Sequence, residues 1–209
     1  PLDLQKGFAT PGVEAKELFR PLGQLSGQAQ VTDTLSVAAQ YFLQWEPYRY
    51  PEGGTYLGPV DFTFNGPDRQ FLSPALGFAT QGDAVEPKNH GEYGVSLRWA
   101  PEWLDGTLGF YYRNYADKLP QVLLTRVGPN ISRYNLIYAD DIDLFGVSLA
   151  KNIGGLSIGA ELSYRRDTPL NAQVLGVSPT GLPDHGETSG PRGDTYHALV
   201  NVLGLSPHT

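Results

Sequence analysis

The sequence predicts an all-β fold: an antiparallel transmembrane β-barrel, of which this chain supplies about seven strands of a larger barrel. Three observations carry that expectation. Short stretches alternate apolar and polar residues, the connections between them are short and long by turns, and Trp and Tyr collect at the ends of the apolar stripes. Side chains along a strand point to opposite faces in turn, so a period of two marks a strand with one apolar and one polar face.

The first strand is read in GQLSGQAQV, where Leu25, Gly27, Ala29 and Val31 oppose Gln24, Ser26, Gln28 and Gln30. In LSVAAQYFLQWE the stripe is Leu35, Val37, Ala39, Tyr41, Leu43 and Trp45, against Ser36, Ala38, Gln40, Phe42, Gln44 and Glu46. EYGVSLRW sets Tyr93, Val95, Leu97 and Trp99 against Glu92, Gly94, Ser96 and Arg98. TLGFYYR sets Leu108, Phe110 and Tyr112 against Thr107, Gly109, Tyr111 and Arg113. DIDLFGVSLAK is less regular, with Phe145, Val147 and Leu149 apolar after an ambiguous start at Ile142 and Leu144. LSIGAELSYR has Leu156, Ile158, Ala160, Leu162 and Tyr164 opposite Ser157, Gly159, Glu161, Ser163 and Arg165. TYHALVNVL closes the series with Tyr196, Ala198, Val200 and Val202.

Residues 32–34, 101–106 and 152–155 form short connections, whereas 47–91, 116–140 and 167–192 form long loops within a single barrel region over 1–209. Short turns at one end and long loops at the other is the layout of an outer-membrane barrel. The 25 Gly and 17 Pro argue against a helical bundle, and the absence of Cys excludes disulfides and thiolate metal sites. A formal net charge of −7 argues against a nucleic-acid partner. Mean hydropathy is −0.28, and no apolar run reaches the roughly 20 residues of a membrane helix. Barrel strands escape that test, because their two faces average out. Neither a leader in the opening PLDLQKGF nor a terminal aromatic in the closing LGLSPHT is visible, and there is no Met. With an odd number of strands, these features fit an internal piece of a longer protein.

With the long-loop ends up, Trp45, Tyr93, Tyr112, Tyr164 and Tyr196 fall at the top of the apolar stripe, and Trp99 near the bottom. Amphipathic rings gather at membrane interfaces, so these six are the expected lipid-interface aromatics. Ten rises from Leu35 to Trp45, tilted, span about 25 Å, the height of an apolar band. A soluble sandwich or lipocalin-like barrel is the alternative. Against it stands the other face, with Gln28, Gln40, Gln44, Arg98, Arg113, Glu161, Arg165 and His197 as expected lumen-lining polar residues. A closed core would leave such groups unpaired at high cost.

The wording EAKELFRPLGQLS, FLQWEPYRYPEGGTYLGP and GPDRQF resembles a family of proteobacterial outer-membrane proteins catalogued as a domain of unknown function, most strongly over 1–72. That resemblance implies a barrel in the bacterial outer membrane, often encoded beside periplasmic lipid-handling proteins and large exporters. It implies no catalytic residues and names no transported molecule.

Other motifs weigh less. GLSIG fits a serine-hydrolase elbow, but Ser157 lies within an alternating strand with no helix following. Asp140, Asp141 and Asp143 read as a solvated acidic rim, favoured over a divalent-cation site bridging lipopolysaccharide phosphates because no calcium-loop spacing follows. His90, His185, His197 and His208 share no metal-ligand spacing, so neither a metal nor another cofactor is expected. The long loop carries Tyr48, Tyr50, Tyr56, Phe62, Phe64 and Phe71, which line either an apolar ligand path or a self-packed lid. The functional expectation is a non-catalytic barrel that passes or exports a hydrophobic or amphipathic small molecule. A plugged barrel displaying its loops as receptor or scaffold is the runner-up, and an outer-membrane enzyme comes third. Outer-membrane lipid and lipopolysaccharide are the expected surroundings.

Overall fold

A computed structural model describes residues 1–56, 69–75, 77–127, 130–170, 182 and 191–204. In chain order the strands are β1 (Gln24–Thr32), β2 (Leu35–Phe42), β3 (Arg69–Ser73), β4 (Gly77–Gln81), β5 (Tyr93–Trp99), β6 (Gly106–Tyr115), β7 (Gln121–Val127), β8 (Asn130–Ile137), β9 (Ile142–Ile153), β10 (Leu156–Pro169) and β11 (Arg192–Gly204). Two short helices precede them, α1 (Leu4–Ala9) and α2 (Ala15–Leu18). No described helix is long and apolar enough to cross a membrane.

All seven strands expected from the alternation form, and they lie in one antiparallel sheet in the order β1-β2-β5-β6-β9-β10-β11. The register keeps the alternation in step across the sheet. Val37 faces Leu97, Leu97 faces Phe110, Phe110 faces Val147, Val147 faces Leu162, and Leu162 faces Ala198. A slip of one residue at any pair would turn one strand's apolar set onto the polar face.

Local chemistry fixes the short turns at one end. Between β9 and β10, Gly154 and Gly155 both take positive φ, 57° and 83°. A two-residue hairpin of this twist needs that at both positions, which glycine adopts without a Cβ clash. Between β5 and β6, a single 3-10 turn over Glu102–Leu104 ends at Asp105, whose φ of 49° is left-handed.

The long connections at the other end carry four strands that the alternation did not mark. The 47–91 segment contains β3 and β4, and the 116–140 segment contains β7 and β8. These four make a second sheet, ordered β3-β4-β8-β7, in which β4 joins β8 in parallel through Thr80–Arg133 and Gln81–Tyr134. Two loops distant in sequence thus form one cap.

The buried apolar core lies in and under that cap. Ala79, Leu124 and Tyr134 pack together, with Leu72 and Val122 against them. Trp45, Ala116, Leu136 and Tyr138 form an adjoining cluster where the cap meets the large sheet. Among the described residues the large sheet is a single layer, and Leu25, Val37, Val95, Phe110, Val147, Leu162, Val200 and Val202 on one face of it are exposed.

The N-terminal segment is tied to the start of the 47–91 connection. Leu4 N–H donates to the Arg49 carbonyl at 2.8 Å, Arg49 N–H to the Leu2 carbonyl at 2.9 Å, and Asp3 caps α1 by accepting from Lys6 N–H at 2.8 Å. Arg20 forms an ion pair with Glu46, which also accepts from the Gln44 amide.

Candidate functional site

The apolar face of the large sheet is banded. Its middle rows hold Val37, Leu97, Phe110, Val147 and Leu162. Above them runs a chain of rings. Tyr93 lies 5.9 Å from Tyr112, Tyr112 5.0 Å from Phe145, Phe145 6.1 Å from Tyr164, and Tyr164 4.9 Å from Tyr196, centroid to centroid. Tyr41 pairs with Tyr93 in register and extends the row to β2. At the short-turn end Trp99 meets Trp103 edge-on at 6.0 Å. Five of the six expected interface aromatics therefore share this face, and Tyr41 and Phe145 belong with them.

Trp45 does not, which corrects its assignment. The strand ends at Phe42, and the chain turns inward so that Trp45 is only 4% exposed. Its ring meets Tyr138 at 5.0 Å, Lys118 Nζ lies 4.9 Å above it, and its backbone N–H donates to Asn89 Oδ1 at 3.2 Å. The apolar stripe along β2 is correspondingly shorter than ten rises.

Just beyond the ring row the same face becomes polar. Tyr112 donates to Asp143 Oδ1 at 2.8 Å, Asn114 donates to the same oxygen at 3.0 Å, and Arg166 pairs with Oδ2 at 3.1 Å. Tyr164 donates to Asp194 at 2.7 Å. Asp143 is thereby engaged by neighbouring side chains, and no group of three or more metal-ligating side chains occurs among the described residues.

The opposite face is mainly polar, interrupted by Leu144, Leu199 and Leu203, and it is grooved between strands. Ser26, Gln28, Gln40, Ser96, Tyr111 and Arg113 border a groove of about 610 Å³. A second of about 480 Å³ is bordered by Ser148, Glu161, Ser163 and His197. Glu161 and His197 share this face one register row apart, since Glu161 faces Leu199 and Ser163 faces His197, and no ion pair joins them. Tyr111 donates to or accepts from Ser148 at 3.1 Å and lies over Gly146, filling wall that glycine leaves open. Arg98 and Arg165 lie on the same face, in register with Ser36 and Thr195. Gln44, past the end of β2, instead faces Glu46 and accepts from Gly23 N–H at 3.4 Å.

At the junction of this face with the cap sits Glu92, 6% exposed. It accepts from Ala116 N–H and from Lys118 Nζ, each at 2.9 Å, and lies 3.5 Å from Arg113. Arg113 in turn stacks between the Phe42 and Tyr115 rings, at 5.1 and 5.2 Å. Burial pushes the Lys118 ammonium below the usual lysine range, with Glu92 pulling it back up. Glu92 was legible only as one more wall carboxylate. Its role as a buried anchor depends on Lys118 and Ala116, distant in sequence.

The loop aromatics do not converge into one path among the described residues. Tyr48 and Tyr50 lie half-buried at the base of the cap, Tyr56 is 97% exposed, and Phe71 pairs with Phe78 at 5.3 Å on β3 and β4. Phe62 and Phe64, like His185 and His208, lie outside the described residues. Ser157 of the GLSIG motif sits in register between Asn152 and Leu203, at the start of a strand that runs on to Pro169.

No curated protein and no solved structure matches the chain. A family model does match, over residues 1–206, and the wording noted at residues 1–72 falls within that match. The chain belongs to the family described as Protein of unknown function (DUF1302).

Proposed function

We propose that the seven-stranded sheet is part of the wall of a barrel in the bacterial outer membrane, and that the barrel passes an amphipathic or hydrophobic small molecule without covalent chemistry. One observation carries this reading. Among the described residues, a single-layer sheet exposes a continuous apolar face, bounded by a ring row and then a polar row, while its other face is mainly Gln, Ser, Gly and Arg, with Leu144, Leu199 and Leu203 among them. Soluble monomers rarely expose contiguous apolar patches beyond a few hundred Å². Lipid removes that problem, and a wet lumen accommodates the polar face. Outer-membrane lipid and lipopolysaccharide then surround the apolar face. Periplasmic lipid-handling or exporter proteins are natural partners for the short-turn end.

The test is single-channel recording from the full-length protein in a planar bilayer. Discrete conductance steps support passage, and a sealed bilayer at every voltage counts against it. The packed core of the cap favours a second reading, display of a folded surface module at the long-loop end. Deleting the β3-β4 hairpin, 69–81, separates the two. Passage predicts larger conductance with assembly intact, whereas display predicts unchanged conductance and loss of binding to a surface partner.

A further inference from the structure

The polar face carries a charge bias opposite to that of the whole chain. The chain has a formal net charge of −7. On the polar face of the large sheet, however, Arg98, Arg113 and Arg165 are set against Glu161, while Glu92 is already held by Lys118. Two of those arginines share one register row, since Arg113 faces Leu144 and Leu144 faces Arg165. Strands lie roughly 4.8 Å apart, so the two Cα positions are separated by about 10 Å. Two guanidinium groups on long side chains can meet one small ligand across that gap.

Both arginines have donors to spare. A guanidinium carries five N–H donors. Arg113 uses one on Glu92 at the long distance of 3.5 Å, and Arg165 makes no ion pair among the described residues. The Nε of each is buried without a hydrogen-bond partner among those residues, so it is the terminal nitrogens that each guanidinium offers to a ligand. The Phe42 and Tyr115 rings flank Arg113 at the border of the 610 Å³ groove. The terminal nitrogens of a planar guanidinium match a carboxylate, which they can bind through two parallel hydrogen bonds. The Tyr115 ring beside it offers an apolar surface to whatever the carboxylate is attached to.

We propose that Arg113 and Arg165 form a binding step for the carboxylate of a small organic anion at the long-loop end of the polar face. The site stands as a binding site in its own right. Its place on a transport route rests on the passage reading above.

The test uses the full-length protein in detergent, with benzoate as probe and the isosteric neutral benzamide and cationic benzyltrimethylammonium as controls, read by titration calorimetry. Benzoate binds and the controls do not. Arg165→Gln, which breaks no ion pair seen here, weakens benzoate binding about tenfold, as loss of a charge-assisted hydrogen bond does. Arg113→Gln does the same, and heat-modifiable gel migration confirms that both variants assemble. Equal binding of benzamide, no benzoate binding at all, or unchanged affinity in Arg165→Gln overturns the site. Planar-bilayer recordings keep the two proposals distinct. Benzoate binding without any conductance sinks passage and leaves the site standing, whereas conductance with no benzoate binding sinks the site alone.

Discussion

The Trp45 ring meets the Tyr138 ring edge-on, centroids 5.0 Å apart and planes inclined by 75°. One residue follows the end of β2 and the other the end of β8, so the contact fastens the cap to the large sheet. Truncating a buried Trp costs about 3–5 kcal/mol. Trp45→Ala should therefore loosen the cap and expose 116–140 to limited proteolysis, while the large sheet stays assembled. Trp45→Phe keeps most of the contact and should be cut far more slowly. Identical cleavage of the two variants would remove this contact as the fastening.

Glu92 fastens the same junction electrostatically. Removing one partner of a buried ion pair leaves an uncompensated charge, at about 3–5 kcal/mol. Glu92→Ala strands Lys118 and the Ala116 N–H together, whereas Glu92→Gln keeps an acceptor for that N–H. Urea unfolding of the cap, followed by Trp fluorescence, should rank wild type above Gln and Gln above Ala. Adding Lys118→Met should restore part of the loss in Glu92→Ala, and no restoration would contradict the pairing.

The cap should also be sensitive to alkali. Burial pushes the Tyr50 hydroxyl up to about 12, with Tyr48 and Asp117 adding to it. Tyr138 is raised as well, first by burial and then by Glu86 and Tyr50. A raised pKa means the folded state holds the proton that the unfolded state gives up. The contribution of Tyr50 is thus complete below about pH 10, the ordinary tyrosine value, and is lost as pH rises toward the folded value. Cap stability should fall between pH 10 and 12, and Tyr50→Phe should flatten that fall. A fall of the same steepness in Tyr50→Phe would rule Tyr50 out as its source.

How much of this was legible in the sequence follows from what each strand touches. The seven strands of the large sheet have one apolar and one polar face, so Val37, Leu97, Val147 and Leu162 recur at every second position and announce themselves. In β7 the consecutive residues Leu123, Leu124 and Thr125 are all buried, which erases the alternation that marks a half-buried strand. Strands β3 and β4 are five residues each, too short for a period to stand out. Trp45 misled because it continues the parity of β2 in sequence after the backbone has left the sheet. The arginine pair was visible only as two wall charges. Its shared row depends on the register of β6, β9 and β10, which no local pattern contains.

The faces of the sheet are the centre of the account, and charge placed on them tests it genetically. Val37→Arg or Leu97→Arg should impair membrane assembly, because a cation at mid-bilayer on a barrel costs roughly 2–4 kcal/mol. Gln40→Arg, on the polar face, should assemble nearly as well as wild type. Equal loss of folded protein from both kinds of variant would count against the assigned faces.

Adjacent positions on one strand give the most direct measurement. Val147 faces Phe110 and Leu162 on the apolar side, and Ser148 faces Gly109 and Glu161 on the polar side. Spin labels placed singly at 147 and 148 in the full-length protein, reconstituted in phospholipid vesicles, report their surroundings through relaxation by oxygen, which concentrates in lipid, and by a water-soluble nickel chelate. The account predicts strong oxygen relaxation and chelate protection at 147, with the reverse at 148. High chelate access at both positions, or lipid-like behaviour at 148, would contradict a sheet with lipid on one side and water on the other.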